Sequence, residues 1–127
     1  MAGRTKRQLG DRFGLQRIGI NLTTLAPGAV SALHHVHSRQ EEFVYVLQGR
    51  PTLFLDALET ELSPGMCVGF APGGPAHHLE NRTDAPVAYL EIGDRVAGDE
   101  ASYPVDDLMA RHGPSGWIFT RKDGSPW

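Results

Sequence analysis

The chain has a single cysteine, Cys67, in 127 residues. One thiol cannot close an internal disulfide, so the fold must rest on its own core, and a reducing compartment, the cytoplasm, is the expectation. Cys67 stands in Met66-Cys67-Val68-Gly69-Phe70, an apolar stretch that predicts a buried structural thiol. No apolar run approaches the roughly 20 residues that span a bilayer. The basic N-terminus lacks the apolar stretch of a secretory signal, so no membrane partner is expected. An excess of one charge is also missing: 12 Lys and Arg stand against 15 Asp and Glu, a formal net charge of -3. Such a balance supplies no field for polyphosphate, and nucleic acid is not an expected partner. The one basic cluster, Arg4-Thr5-Lys6-Arg7, reads as a solvated, frayed terminus. Long 3.6-residue apolar periodicity is absent as well, which excludes a major helix.

Turn formers are plentiful, with 15 Gly and 9 Pro. They punctuate short stretches rich in β-branched and aromatic residues, of which Glu42 to Leu47 is the strongest. Strands are predicted at Gly19 to Leu25, Ala32 to His37, Glu42 to Leu47, Thr52 to Leu55, Glu59 to Leu62, Met66 to Phe70, His77 to Asn81 and Val87 to Ile92. This spacing predicts an all-β sandwich or barrel in one domain, residues 1–127, with the barrel core at about 18–93. Residues 94–127 read as a short irregular extension. Within it, Val105 to Arg111 is predicted to form one or two helical turns and Gly116 to Arg121 a last strand. Trp117, Ile118 and Phe119 are costly to leave in water, so this tail is expected to pack back on the barrel.

Five of the six histidines fall in two tight groups, His34-His35-Val36-His37 and His77-His78. Alternate residues of a strand share a face, so His35 and His37 aim together while His34 aims away. A turn at Ser38 to Glu41 returns the chain so that Glu42 stands beside them. Glu42 opens an otherwise apolar inner face with Val44 and Val46, where a carboxylate is costly unless a cation pairs with it. One histidine of the His77-His78 pair can join the group. Three imidazoles and a carboxylate suit one divalent transition metal, Mn, Fe, Ni, Co or Zn, and are too rich in nitrogen for Ca or Mg. Pro72-Gly73-Gly74-Pro75 lacks the Lys and helix of a phosphate loop and reads as a tight turn.

These residues resemble the two motifs of the cupins. His35-Val36-His37, four residues, Glu42, six residues and Gly49 match the first; Pro72, Gly74, His77 and Asn81 match the second. Gly28 and Gly65 each lie one residue further from their partners than in the usual pattern, and Met66 replaces an acidic residue. The resemblance covers Leu22 to Ile92. It implies a double-stranded β-helix, or jelly roll, and names His35, His37, Glu42 and His77 as the metal ligands. It resembles small single-domain bacterial cupins of no assigned reaction.

That architecture hosts dioxygenases, decarboxylases, isomerases and plain binding proteins. The leading expectation is a metal-dependent enzyme on a small oxygenated metabolite, either a carboxylate or a sugar derivative. Its alternative is a non-catalytic small-molecule binding or sensing module. No catalytic residue and no organic cofactor is identified; Tyr45, Tyr89, Glu80 and Glu91 are candidate acids or bases. Arg39 could reach an anionic substrate or simply face solvent. Phe43, Tyr45 and Leu47, with Leu90 and Ile92, leave apolar groups outside a closed barrel, and a homodimer is expected to cover them.

Overall fold

A computed structural model describes residues 1–127. It is an antiparallel jelly-roll β-barrel without an α-helix. In chain order the strands are β1 (Arg4–Gln8), β2 (Ile18–Leu25), β3 (Val36–His37), β4 (Glu42–Gln48), β5 (Thr52–Leu55), β6 (Leu58–Glu61), β7 (Cys67–Phe70), β8 (His77–Glu80), β9 (Val87–Asp94), β10 (Glu100–Ser102), β11 (Met109–Gly113) and β12 (Gly116–Thr120). One sheet runs β1-β2-β9-β4-β7, a second β6-β5-β8, a third β12-β11-β10-β3. No helix is long and apolar enough to cross a membrane.

Period-two alternation places the core. Leu25, Val44, Val46, Phe70, Val87 and Tyr89 of the first sheet pack against Leu53 and Leu79 of the second. Each such side chain contributes about 1.5–3 kcal/mol on leaving water. Glu42 has the same parity as Val44 and Val46 and therefore starts β4 facing inward. Residues 30–37 run along β8 through isolated bridges, Val30 to Glu80 and His35 to His77, before pairing with β10. Only Val36–His37 of the predicted Ala32–His37 strand is a regular ladder.

Four expectations are corrected. Arg4-Thr5-Lys6-Arg7 is not frayed: it pairs residue for residue with β2, a charged edge strand of the kind that resists further pairing. Cys67 is exposed, because Val68 and Phe70 take the inward positions of β7 and leave Cys67 and Gly69 outside. Val105 to Arg111 forms no helix, and the tail is regular rather than irregular. Leu108 and Ala110 are buried with exposed Arg111 following, which is strand alternation, and β10, β11 and β12 continue from it as hairpins. Trp117, Ile118 and Phe119 dock through backbone pairing with β11, yet their side chains stay about half exposed.

Asn81 ties the end of β8 to the rest of the barrel. Its Nδ2 donates to the carbonyls of Leu25 (3.0 Å) and Ala85 (2.8 Å), and its Oδ1 accepts from the Thr83 amide (3.0 Å) and hydroxyl (2.7 Å). Asn81→Ala removes all four partners from a fully buried position. The expected loss is about 3 kcal/mol in urea unfolding; a loss below about 0.5 kcal/mol would show that water replaces these bonds freely.

Candidate metal centre

Four elements deliver the histidine–glutamate group. β4 supplies Glu42, β3 supplies His37, the bridged segment before it supplies His35, and β8 begins with His77. The Glu42 Oε1 oxygen is the meeting point: His37 Nε2 lies 2.9 Å away, His77 Nε2 3.5 Å and His35 Nε2 3.7 Å. His35, Glu42 and His77 place donor atoms within 4.8 Å of one another; His37 stands outside that mutual set but touches the same oxygen. All four side chains are 15% exposed or less.

The opposite ring nitrogens are already engaged. His35 Nδ1 donates to the Leu33 carbonyl (2.7 Å), His77 Nδ1 to the Pro75 carbonyl (3.2 Å) and His37 Nδ1 to Asp99 Oδ2 (2.6 Å). A carbonyl only accepts, so His35 and His77 carry their proton on Nδ1 and turn an Nε2 lone pair inward. Those lone pairs face an oxygen that also lacks a donor: Glu42 Oε1 and His77 Nε2 are buried without a hydrogen-bond partner. Burial pushes the Glu42 carboxyl upward, but the three imidazoles outweigh it and hold it far below the usual carboxylate range. Burial lowers the basicity of His37, but contact with Glu42 and Asp99 more than reverses this and raises it. A proton on His37 satisfies one contact only. The remaining lone pairs fit a cation, and the donor chemistry fits a divalent transition metal.

Ring packing fixes these orientations. Phe70 stacks on His77, 3.6 Å between centroids and 5° from parallel. His35 meets His37 edge-on at 5.0 Å and lies 4.8 Å from His77. The Pro72 to Pro75 segment is a turn held by the Gly73 amide donating to the His37 carbonyl at 2.8 Å.

Asp99 is the residue the sequence did not reveal. It is 3% exposed and sits in a segment read as an irregular extension. Its Oδ1 accepts from the amides of Arg39 (2.8 Å) and Gln40 (3.0 Å) while Oδ2 holds His37. Burial raises its carboxyl; the two amides and His37 more than offset that and leave it below its ordinary value. A lone Asp after Gly98 carries no motif, so no local signal could have found it.

The other candidates separate. His34 Nδ1 and His78 Nδ1 share a hydrogen bond of 2.8 Å, and His78 stacks on Phe54 and bonds Glu80 (3.0 Å), so neither contacts Glu42. Tyr45 lies on the outer face. Tyr89 and Glu91 line the same cavity as the histidines, a space of about 610 Å³. Arg39 is exposed and bonds the Ala97 carbonyl at 3.3 Å. Tyr103, Trp117 and Phe119 from the tail form the wall beside the histidines, with Tyr103 5.9 Å from His35 and Trp117 6.0 Å from His37 between ring centroids.

Comparison with known proteins decides the family. The sequence pattern described as a cupin domain matches residues 21–93. The chain belongs to the cupin family. This cupin is similar to a sugar phosphate isomerase of the cupin superfamily from Silicibacter pomeroyi, with 44% identity, a TM-score of 0.94, and coverage of 100% of this chain and 82% of that one. It is also similar to a protein from Acidithiobacillus ferrooxidans provisionally named a sugar phosphate isomerase, at 32% identity, TM-score 0.89, 94% of this chain and 77% of that one. A Thermus thermophilus protein matches at 27% identity and TM-score 0.62 over 72% of this chain and 82% of its own. No functionally curated protein matches this cupin by sequence.

Asp99→Ala leaves two part-buried amides and His37 without an acceptor, and is expected to destabilise the chelator-treated protein by about 2 kcal/mol at neutral pH. Because the folded carboxyl is depressed, its contribution is complete above the ordinary value of 3.8 and is lost as pH falls through the folded value. Melting curves of wild type and variant should therefore converge below pH 3.8; a constant gap down to pH 2 contradicts the assignment.

Proposed function

We propose that this cupin is a metal-dependent isomerase of a phosphorylated sugar, with His35, His37, Glu42 and His77 as ligands of one divalent transition metal, Mn, Fe, Ni, Co or Zn. The observation that carries the reaction class is the 44% identity, spanning the whole chain, to the protein named a sugar phosphate isomerase. The orphaned Glu42 and His77 atoms support the metal assignment. A metal bound there supplies Lewis acidity toward adjacent carbonyl and hydroxyl oxygens of the sugar. Residues 1–127 act as one unit in this reading, since Asp99, Tyr103 and Trp117 reach the centre from the tail.

The chain's own groups do the rest. Asp99, by accepting from His37 Nδ1, orients that ring and raises its basicity. Burial, with Asp106 and Glu42 nearby, pushes the Tyr103 phenol upward, so it stays protonated and donates a hydrogen bond to an oxygen that gains charge. The half-exposed Trp117 and Phe119 shield that end of the cavity from water. An exposed, unpaired Cys67 suits a reducing compartment, the cytoplasm.

The outer face of β4 supports a homodimer. Phe43, Tyr45 and Leu47 are 38%, 39% and 46% exposed and lie beside outward Leu90 and Ile92 of β9. Light scattering is expected to give twice the 13.8 kDa chain mass, and Tyr45→Glu to give monomer; a monomeric wild type at all concentrations removes the dimer.

The function is tested with protein reconstituted separately with each metal and a panel of aldose and ketose phosphates followed by NMR. Interconversion of one pair is expected. His77→Ala should lose metal and turnover, while His78→Ala keeps metal, as read by elemental analysis. Full metal occupancy with no turnover on any sugar phosphate would overturn the isomerase and leave the binding module. Equal metal loss in both variants would overturn the ligand assignment.

A further inference from the structure

The cavity has a second polar pole, away from the histidines. β1 pairs with β2 so that Arg4 lies opposite Leu25 and Lys6 opposite Thr23. Leu25 and Thr23 are fully buried and face inward, and cross-strand partners share a face, so Arg4 and Lys6 point into the barrel. Both line the cavity. Lys6 Nζ sits 2.9 Å from Glu91, whose oxygen also takes the Asn21 amide at 3.5 Å, so those two charges cancel. Arg4 has no carboxylate within ion-pair reach. Its one side-chain hydrogen bond runs from Nη1 to the Ser31 carbonyl, at 2.6 Å. A guanidinium carries five N–H donors, so most of the fork and the whole charge are free.

Beside Arg4 are two hydroxyls without partners. Tyr89 and Thr23 stand opposite each other in the β2–β9 register, and both are 0% exposed. Tyr89 Oη and Thr23 Oγ1 are buried and make no hydrogen bond. A buried hydroxyl left unpaired is costly, and that of Tyr89, in the wall of the cavity, marks a place for a ligand oxygen.

We propose that Arg4 and Tyr89 bind the phosphate group of the substrate at the pole of the cavity opposite the histidines. This rests on the sugar phosphate reading above. Arg presents paired donors that match two oxygens of a phosphate. Burial, with the Glu91 carboxylate adding to it, keeps the Tyr89 phenol protonated, so it meets the anion as a donor. Ser31 at one pole and His35 at the other are four residues apart, at most about 14 Å along the chain. A phosphate on a short carbon chain therefore leaves the hydroxyl-bearing carbons at the histidines.

The test is calorimetric titration of inorganic phosphate into metal-stripped protein, where no bound metal competes for the anion. Wild type and Arg7→Ala, which removes a cation from the outward face of the same strand, should bind phosphate alike. Arg4→Ala should bind at least tenfold more weakly, and Arg4→Lys should recover part of the loss. Tyr89→Phe should weaken binding severalfold while its melting temperature in phosphate-free buffer stays close to wild type, so that the loss is read as binding and not as unfolding. Phosphate binding to Arg4→Ala at wild-type strength, or none to wild type, overturns the subsite. Arg4-dependent phosphate binding without turnover on any sugar phosphate supports the subsite and overturns the isomerase alone.

Discussion

The Glu42 carboxylate, buried at the start of an apolar strand face and surrounded by three imidazole nitrogens, is the constraint on which the rest of this structure depends. An uncompensated charge in such a place costs several kcal/mol. The chain does not relieve it with Lys or Arg. It commits the outer nitrogen of each ring to a carbonyl or to Asp99 and turns the inner nitrogens toward the same oxygen. Four lone-pair donors converging on one largely buried point repel one another unless a cation lies between them. The metal assignment thus rests on electrostatics and on tautomers, and not on ring proximity alone.

The architecture follows from holding that point still. Phe70 clamps one ring, the Pro72 to Pro75 turn is tied to the His37 carbonyl, and β10 pairs with β3 beside His37. Asp99 joins these parts, because one carboxylate fixes the turn before Glu42 through two amides and the His37 ring through its other oxygen. The tail is therefore part of the site. The same cavity continues from the histidines to β1, so the two ends of the chain furnish opposite walls of one space.

The barrel, His35, His37 and Glu42 were legible because their signals are local, whereas the choice of His77 over His78 came only from the resemblance to the cupin motif. Alternation in Glu42 to Leu47, the His35–His37 pair and the turn between them need only neighbours in sequence to be read. What stayed hidden depends on distant partners. Asp99 gains its meaning only when residue 37 is brought against it, 62 positions away in sequence. The basic run at the start looked like a solvated tail because nothing local shows that Arg4 pairs opposite Leu25. Val105 to Arg111 read as helical turns, but burial of Leu108 and Ala110 in a hairpin overrode that reading. Cys67 was misplaced by one step of alternation, which sends a side chain to the opposite face.

The central claim, that one divalent transition metal occupies the point between Glu42 and the three histidines, is tested most directly by anomalous diffraction from crystals soaked separately in Mn, Fe, Co, Ni and Zn. The account predicts a single strong peak per chain, about 2.0–2.3 Å from the Nε2 atoms of His35, His37 and His77 and from a Glu42 oxygen. A peak seated instead between His34 and His78, or no peak with any of these metals, would contradict it.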